Sequence, residues 1–389
     1  MKKRTLENTK KIISSTTLII LFSSLLIACV NTSNDTPPKP ILGFKSSSNV
    51  RNIWHTNIGN GNGGQIDLTL TPAIENSIIY SSSFDGYISA VKAQTGESLW
   101  STNTKLQLSA PIAVSRNLVI TGSLRGKIVA LDKDTGKIAW QTTLPSSLFS
   151  QPTIVNNTVY TQTHNGSVSA HNVEDGKQIW TQNIPTPNLM LTGNSSPIVY
   201  NGIVIAGTSS GSVWGLKANS GEKQWDNLIS LTNLGLQAQK MVDITATPIM
   251  DNDTLYLITF EGNLISLNSK LGNINWQKKA SAYRNIALGS NMLFTTDSKG
   301  YLSSYNLKTG KELWKATELE GRKPTAPLFL NGLVAVGDYK GYVHIFNADN
   351  GEYITHIKID SNGINATPIA ADKDIIVQTN SGNLAAIKF

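Results

Sequence analysis

One phrase recurs along the chain with a fixed internal spacing, and a chain that repeats itself at a fixed period folds by stacking copies of one small unit. The phrase first appears at Asp85-Gly86, with a second glycine at Gly96 and a tryptophan at Trp100. The same set returns at Gly126, Gly136 and Trp140, at Gly166, Gly176 and Trp180, and at Gly211, Gly221 and Trp225. It continues at Gly262, Gly272 and Trp276, then at Gly300, Gly310 and Trp314. In each of these six copies the second glycine follows the first by ten residues and the tryptophan follows it by fourteen. A seventh copy keeps Gly341 and Gly351 but has Thr355 at the tryptophan position. An eighth keeps Gly382 and stops at Phe389, before the second glycine and the tryptophan. Trp54 is an unpaired copy of that missing ending, so residues 51–56 are expected to complete the unit begun by Pro368 to Phe389.

Each unit is about 40 residues long and holds short apolar runs such as Ser77-Ile78-Ile79-Tyr80 and Tyr87-Ile88-Ser89-Ala90-Val91. Runs rich in Val, Ile and Tyr, bounded by Gly, Asn and Asp, are strands and not helices. The two glycines supply the positive φ that tight hairpins need. Four strands per unit at this period make a propeller blade. The fold expected is therefore all-β: an eight-bladed β-propeller of four-stranded blades over residues 49–389, its last blade closed by the N-terminal strand. A proline stands at a regular place ahead of most blades, at Pro72, Pro111, Pro152, Pro197, Pro248, Pro327 and Pro368, tolerable at the first residue of a strand. The regular tryptophans are expected to pack over hairpin glycines of the neighbouring blade, each burying surface worth on the order of 2–3 kcal/mol.

The first residues read differently. Lys2, Lys3, Arg4, Lys10 and Lys11 against Glu7 put +4 of the formal +7 charge ahead of an apolar run from Ile12 to Ala28. That is the form of a secretory signal over residues 1–28. The +3 left for the remainder is too small and scattered for a nucleic-acid groove. Leu26-Ile27-Ala28-Cys29 resembles a bacterial lipobox, in which cleavage precedes an acylated cysteine. Cys29 is the only cysteine, so the domain has no internal disulfide and must rely on its core. Acylation of Cys29 with more than one chain would anchor the domain without spanning the bilayer. Residues 29–48, with Pro37, Pro38 and Pro40 among Ser, Thr and Asn, read as a flexible tether.

Sites for chemistry are sparse. His55, His164, His171, His344 and His356 have no Cys or carboxylate at ligand spacing, which points to surface or turn histidines and no metal. Gly59-x-Gly61-x-x-Gly64 is followed by strand-like Gln65 to Leu70 and not by a helix, so it is a loop and not a dinucleotide site. An aromatic C-terminus is common in membrane barrels, but their strands are longer than these and less often broken by glycine.

The glycine, alanine, glycine, tryptophan phrase from Gly126 to Trp140 resembles the quinoprotein-type propeller repeat of pyrroloquinoline-quinone-dependent dehydrogenases. With the lipobox, eight copies and no further domain, the chain is similar to the propeller lipoprotein family of the outer-membrane β-barrel assembly machinery. That resemblance implies a non-catalytic scaffold without cofactor, lipid-anchored in the outer membrane and facing the periplasm. It implies docking on the barrel-forming subunit BamA, and contact with unfolded outer-membrane protein precursors as a further option. Pro187-Asn188-Leu189-Met190-Leu191-Thr192-Gly193 is similar to the family's partner-binding loop, matching at Leu189 and Leu191, with Thr192 in place of Arg. Asp243-Ile244-Thr245-Ala246-Thr247-Pro248 is similar to a second contact stretch, with Asp243 matching and Thr245 in place of a second Asp. The alternative is a quinone-dependent dehydrogenase or cofactor-binding sensor. The enzymes with this repeat hold quinone under a vicinal disulfide, which a single cysteine cannot make. A sugar- or peptidoglycan-binding propeller is a third option, with no specific sequence feature in its favour.

Overall fold

The structure, a computed structural model, describes residues 36–41, 50–65, 67–115, 117–187, 191, 195–229, 243–260, 262–280, 282 and 284–389. Cys29, Leu189 and Thr192 lie outside the described residues, as does the signal segment 1–28. The described residues contain no helix and form eight antiparallel four-stranded sheets. In the first blade the strands Ala73–Glu75, Ile78–Ser82, Tyr87–Lys92 and Ser98–Asn103 follow one another from the axis outward. The next six blades repeat that order. The eighth takes Ile369–Ala371, Asp374–Gln378 and Asn383–Lys388 from the C-terminal end and Arg51–Asn57 as its outer strand. Trp54 pairs with Ala386 and His55 with Ala385 across this seam, which is the closure expected from the orphan tryptophan. The innermost strands of the first and last blades touch, so the ring is complete.

A blade is wetted on neither flat face, because the buried residues form eight clusters and each lies between two blades. Tyr80, Ile88 and Ala90 of the first blade, for instance, meet Val119, Val129 and Leu131 of the second. Second and third strands alternate within the sheet, but their runs are buried on both sides, as in Ile78–Ser82 and Tyr87–Lys92. Strands with both faces covered read as continuous apolar runs and not as alternating ones. Outer strands are largely exposed apart from the tryptophan position, as in Ile138–Thr143 with Trp140 buried.

The repeat tryptophan reaches across to the next blade. At Gly136, whose φ is +68°, an added Cβ would lie 2.5 Å from the Trp100 ring. Trp54 lies over Gly96, Trp140 over Gly176, Trp180 over Gly221, Trp225 over Gly272, Trp276 over Gly310, and Trp314 over Gly351. In five of the seven the indole N–H donates to a carbonyl of that next hairpin, as in Trp100 to Lys133 at 2.9 Å, Trp140 to Val173 at 2.8 Å and Trp314 to Ala348 at 2.8 Å, whereas the buried Trp225 Nε1 has no hydrogen-bond partner among the described residues. A ring lying flat on a hairpin needs both the missing side chain beneath it and the positive φ that turns the chain sharply. The exception at Thr355 follows from this geometry. Its tryptophan would have to lie over the second glycine of the eighth blade, and that blade has no such hairpin, because its outer strand arrives from the N-terminal end. An aromatic there would have no glycine to cover.

The outer strand carries a bulge at each tryptophan. Ala90 pairs with Trp100 but Val91 with Ser98, which leaves Leu99 unpaired and 42% exposed. Ile53 and Ile179 stand at the same register and are exposed as well. The regularly placed prolines sit just ahead of the innermost strands, as Pro72 before Ala73 and Pro197 before Ile198, one residue earlier than a first-strand position. There the missing N–H costs no ladder bond.

Replacing Trp140, 8% exposed, with Ala is expected to cost about 3–5 kcal/mol, as for other buried tryptophans. Thr355→Ala, at the equivalent place in the seventh blade, should cost no more than about 1 kcal/mol. Urea midpoints for the two variants against the parent protein check the contrast.

Candidate partner-docking face

One end of the ring is built from the hairpins between second and third strands together with the connections that lead from one blade to the next. Neighbouring connections are stitched to each other just ahead of the innermost strands. The Gln151 amide donates to Ser196 Oγ at 2.9 Å, the Ser196 amide to Thr247 Oγ1 at 3.2 Å, and the Thr247 amide to Asn285 Oδ1 at 2.8 Å. Four successive connections are thereby fixed around the axis. Above them the axis opens into a cavity of about 670 Å³ whose lining includes Leu191, Thr245, Phe260, Lys323 and Tyr339. A narrower space of about 220 Å³ beneath it is lined by small polar residues, among them Ser109, Ser150, Thr247 and Thr367.

The two loop segments singled out in the sequence meet at this end. Asp243 is 1% exposed. Its Oδ2 accepts the Leu191 amide at 2.5 Å, across 52 residues of chain. Its carbonyl accepts the Phe260 amide at 3.0 Å, and the next residue, Ile244, donates to the Thr208 carbonyl at 3.1 Å. Ile244 also fills the space over Gly207, where an added Cβ would lie 2.5 Å from its Cγ2. Asp243 is thus clamped between the fourth and fifth blades and holds the backbone amide of Leu191. Burial raises the Asp243 carboxyl above 3.8, while the Leu191 amide and the field of His164 act in the opposite direction. Its partner Leu191 is half-buried and lines the mouth of the cavity. At 1% exposed, Asp243 spends its carboxylate on the Leu191 amide. Thr245, two residues on, lines both spaces on the axis.

Two histidines are not where the sequence put them. His344 is 0% exposed and His171 1% exposed, both inside third strands, so the surface-or-turn expectation fails for them. His171 is pushed down by burial, with Nδ1 3.3 Å from the Gly176 carbonyl. His344 belongs to a buried polar network in the seventh blade, which sequence patterning gave no sign of. Asp338 Oδ2 accepts from Arg322 Nε at 2.6 Å and from His344 Nε2 at 2.9 Å. Tyr353 lies 2.7 Å from His344 Nδ1. Burial pushes the His344 imidazole below its ordinary value, while the hydrogen bond to Asp338 acts the other way. Burial alone would raise Asp338, but the bonds from His344 and from the Tyr342 amide and the nearby Arg322 hold its carboxyl low. Among the described residues no three His, Cys, Asp or Glu side chains are grouped to hold a metal ion, and no helix is long and apolar enough to cross a membrane.

Residues 84–316 and 298–389 match the family described as outer membrane protein assembly factor BamB. The outer membrane protein assembly factor BamB of Francisella tularensis is 38% identical over 96% of this chain and 83% of its own length. That of Pseudomonas aeruginosa is 35% identical over 95% of this chain and 97% of its own. The crystal structure of BamB from Moraxella catarrhalis superposes with a TM-score of 0.79 at 21% identity, covering 87% of this chain and all of that one, a likeness of fold.

Since burial raises Asp243, its charged form is less favourable in the fold than in the unfolded chain. Its contribution to stability is full below 3.8 and is lost as pH rises through the raised value. Asp243→Asn keeps an acceptor for the Leu191 amide and never ionises. Its urea midpoint should therefore gain on the parent protein as pH is taken from below 3.8 toward neutrality, and a difference independent of pH would contradict the burial account.

Proposed function

The chain belongs to the BamB family of outer-membrane protein assembly factors, and we propose that within the assembly complex it docks on the barrel-forming subunit BamA through the 187–193 loop, with Leu189 and Leu191 as apolar contacts. It is a scaffold in the assembly of outer-membrane β-barrels and not an enzyme, so the quinone-dependent reading falls away. The observation that carries the docking proposal is the bond from the Leu191 amide to Asp243. Held at its backbone by Asp243, Leu191 loses less freedom on binding, and an apolar side chain at that place is suited to fill an apolar groove on a partner. Thr192 stands where the family has Arg, so docking here depends less on charge and more on apolar contact. Acylation of Cys29 anchors the scaffold in the outer membrane, with the propeller on the periplasmic side.

Unfolded precursors meet the propeller, on this reading, at its outer strands. Those strands are sheet edges, open to strand addition, and they carry exposed Leu99, Ile179 and Leu313.

An affinity pull-down from detergent-solubilised envelopes tests the docking. The intact protein should recover BamA, and a Leu189→Ala, Leu191→Ala double variant should recover at least about tenfold less, the loss expected of an anchor worth about 1.4 kcal/mol. Equal recovery by a folded double variant would remove the loop from the interface, and no recovery by either protein would remove BamA as the partner.

A further inference from the structure

The stretch Pro37-Pro38-Lys39-Pro40 is a tether by composition, yet Lys39 is gripped on both sides of its backbone. Its amide donates to the Glu320 carbonyl at 2.9 Å, and its carbonyl accepts from Arg322 Nη1 at 3.0 Å. Its ammonium lies 3.1 Å from Glu320 Oε2 and donates to the Thr317 carbonyl at 3.0 Å.

The receiving side is built for the purpose. Arg322 is only 5% exposed and is fixed by Asp338, so a buried guanidinium spends one of its donors on the backbone of a segment some 280 residues away. Glu320 is held at its other oxygen by the Tyr301 hydroxyl at 2.8 Å. The bond from Tyr301 and that from Lys39 keep the Glu320 carboxyl below its usual range.

The incoming side is suited to it. Pro40 disfavours the helical region for Lys39 and makes it extended, the conformation that presents N–H and C=O outward together. Pro37 and Pro38 stiffen the approach, so little conformational freedom is lost when the segment seats.

We propose that residues 317–322 are a docking site for the chain's own Pro-Lys-Pro segment, a clasp that shortens the leash between the lipid and the propeller. The clasp stands on its own contacts, and its consequence at the membrane rests on the acylation of Cys29. Without the clasp, Val50 lies 21 residue steps beyond Cys29, a reach of about 75 Å at full extension. With Lys39 seated, ten steps remain, a reach of about 35 Å. Lys323, next to the clasp, lines the same cavity as Leu191. The clasp therefore holds the docking end of the ring, and not the opposite end, within about 35 Å of the lipid, and so raises its effective concentration at the membrane.

Zero-length carbodiimide coupling of the intact lipoprotein, read by peptide mass spectrometry, tests the clasp. The expected result is an isopeptide between Lys39 and Glu320 of one chain, at least about tenfold above Lys39 links to any other carboxylate, and lost in Glu320→Gln. The exposed pairs Lys92 with Glu97 and Lys217 with Glu222 are internal controls. Coupling of those controls without a Lys39 to Glu320 link overturns the clasp. In a mixture of isotopically light and heavy protein, a link found only between chains overturns it as well. The mass of the N-terminal peptide reports the acyl chains separately: an unmodified Cys29 beside an intact Lys39 to Glu320 link upholds the clasp and refutes the anchor.

Discussion

The ring depends on one contact made seven times, an indole laid over a glycine of the next blade's hairpin. Neither partner has a substitute. A side chain at Gly136 would collide with Trp100, and without the indole the hairpin would expose its backbone carbonyl, which now accepts the ring N–H. No blade can bury its own two faces, and each of the eight apolar clusters needs a neighbour to exist. The indole contacts set how far each blade turns from the last, and with that they set the radius of the ring and the width of its axis.

Once the ring is rigid, its ends are free to vary. The connections around the axis differ in length while the strands beneath them keep one register, so a partner-binding loop can be carried by a frame that does not change. Asp243 illustrates the division. It belongs to a connection, it is buried, and its carboxylate holds the Leu191 amide. In the sequence, Thr192 and Thr245 stand where the resemblance implies charged residues, while Asp243 keeps its acid. The acid that remains is the one with a structural task.

How much of this could be read beforehand depended on whether the signal was local. The glycines and tryptophans recur at fixed spacing, so the blades, their number and the closing strand were legible in the sequence. Thr355 was visible as a broken rule, but its reason lies in the seam, which brings residue 51 beside residue 388 and leaves the last blade without a hairpin. Both loop segments were picked out by their resemblance to a family, and the bond between them was not, because nothing in either stretch encodes the other. The same holds for His344 and Arg322. A histidine alternating within a strand looks exposed until the neighbouring blade covers it. Lys39 was hidden most deeply, since proline-rich composition says only that a segment is extended and is silent about what it rests on.

The seam has a mechanical meaning. On the proposed anchor at Cys29, a force exerted by the membrane would enter through the N-terminal end, and the first described strand it would reach is Arg51–Asn57, the one that locks the ring. A pull along that strand would shear its ladder with Asn383–Lys388, while a pull across it would open the bonds one at a time. Lys39, seated on the connection between the sixth and seventh blades, lies ahead of that strand and would take such a load first. It would then work as a strain relief does on a cable, passing tension into the body of the ring before it reaches the closure.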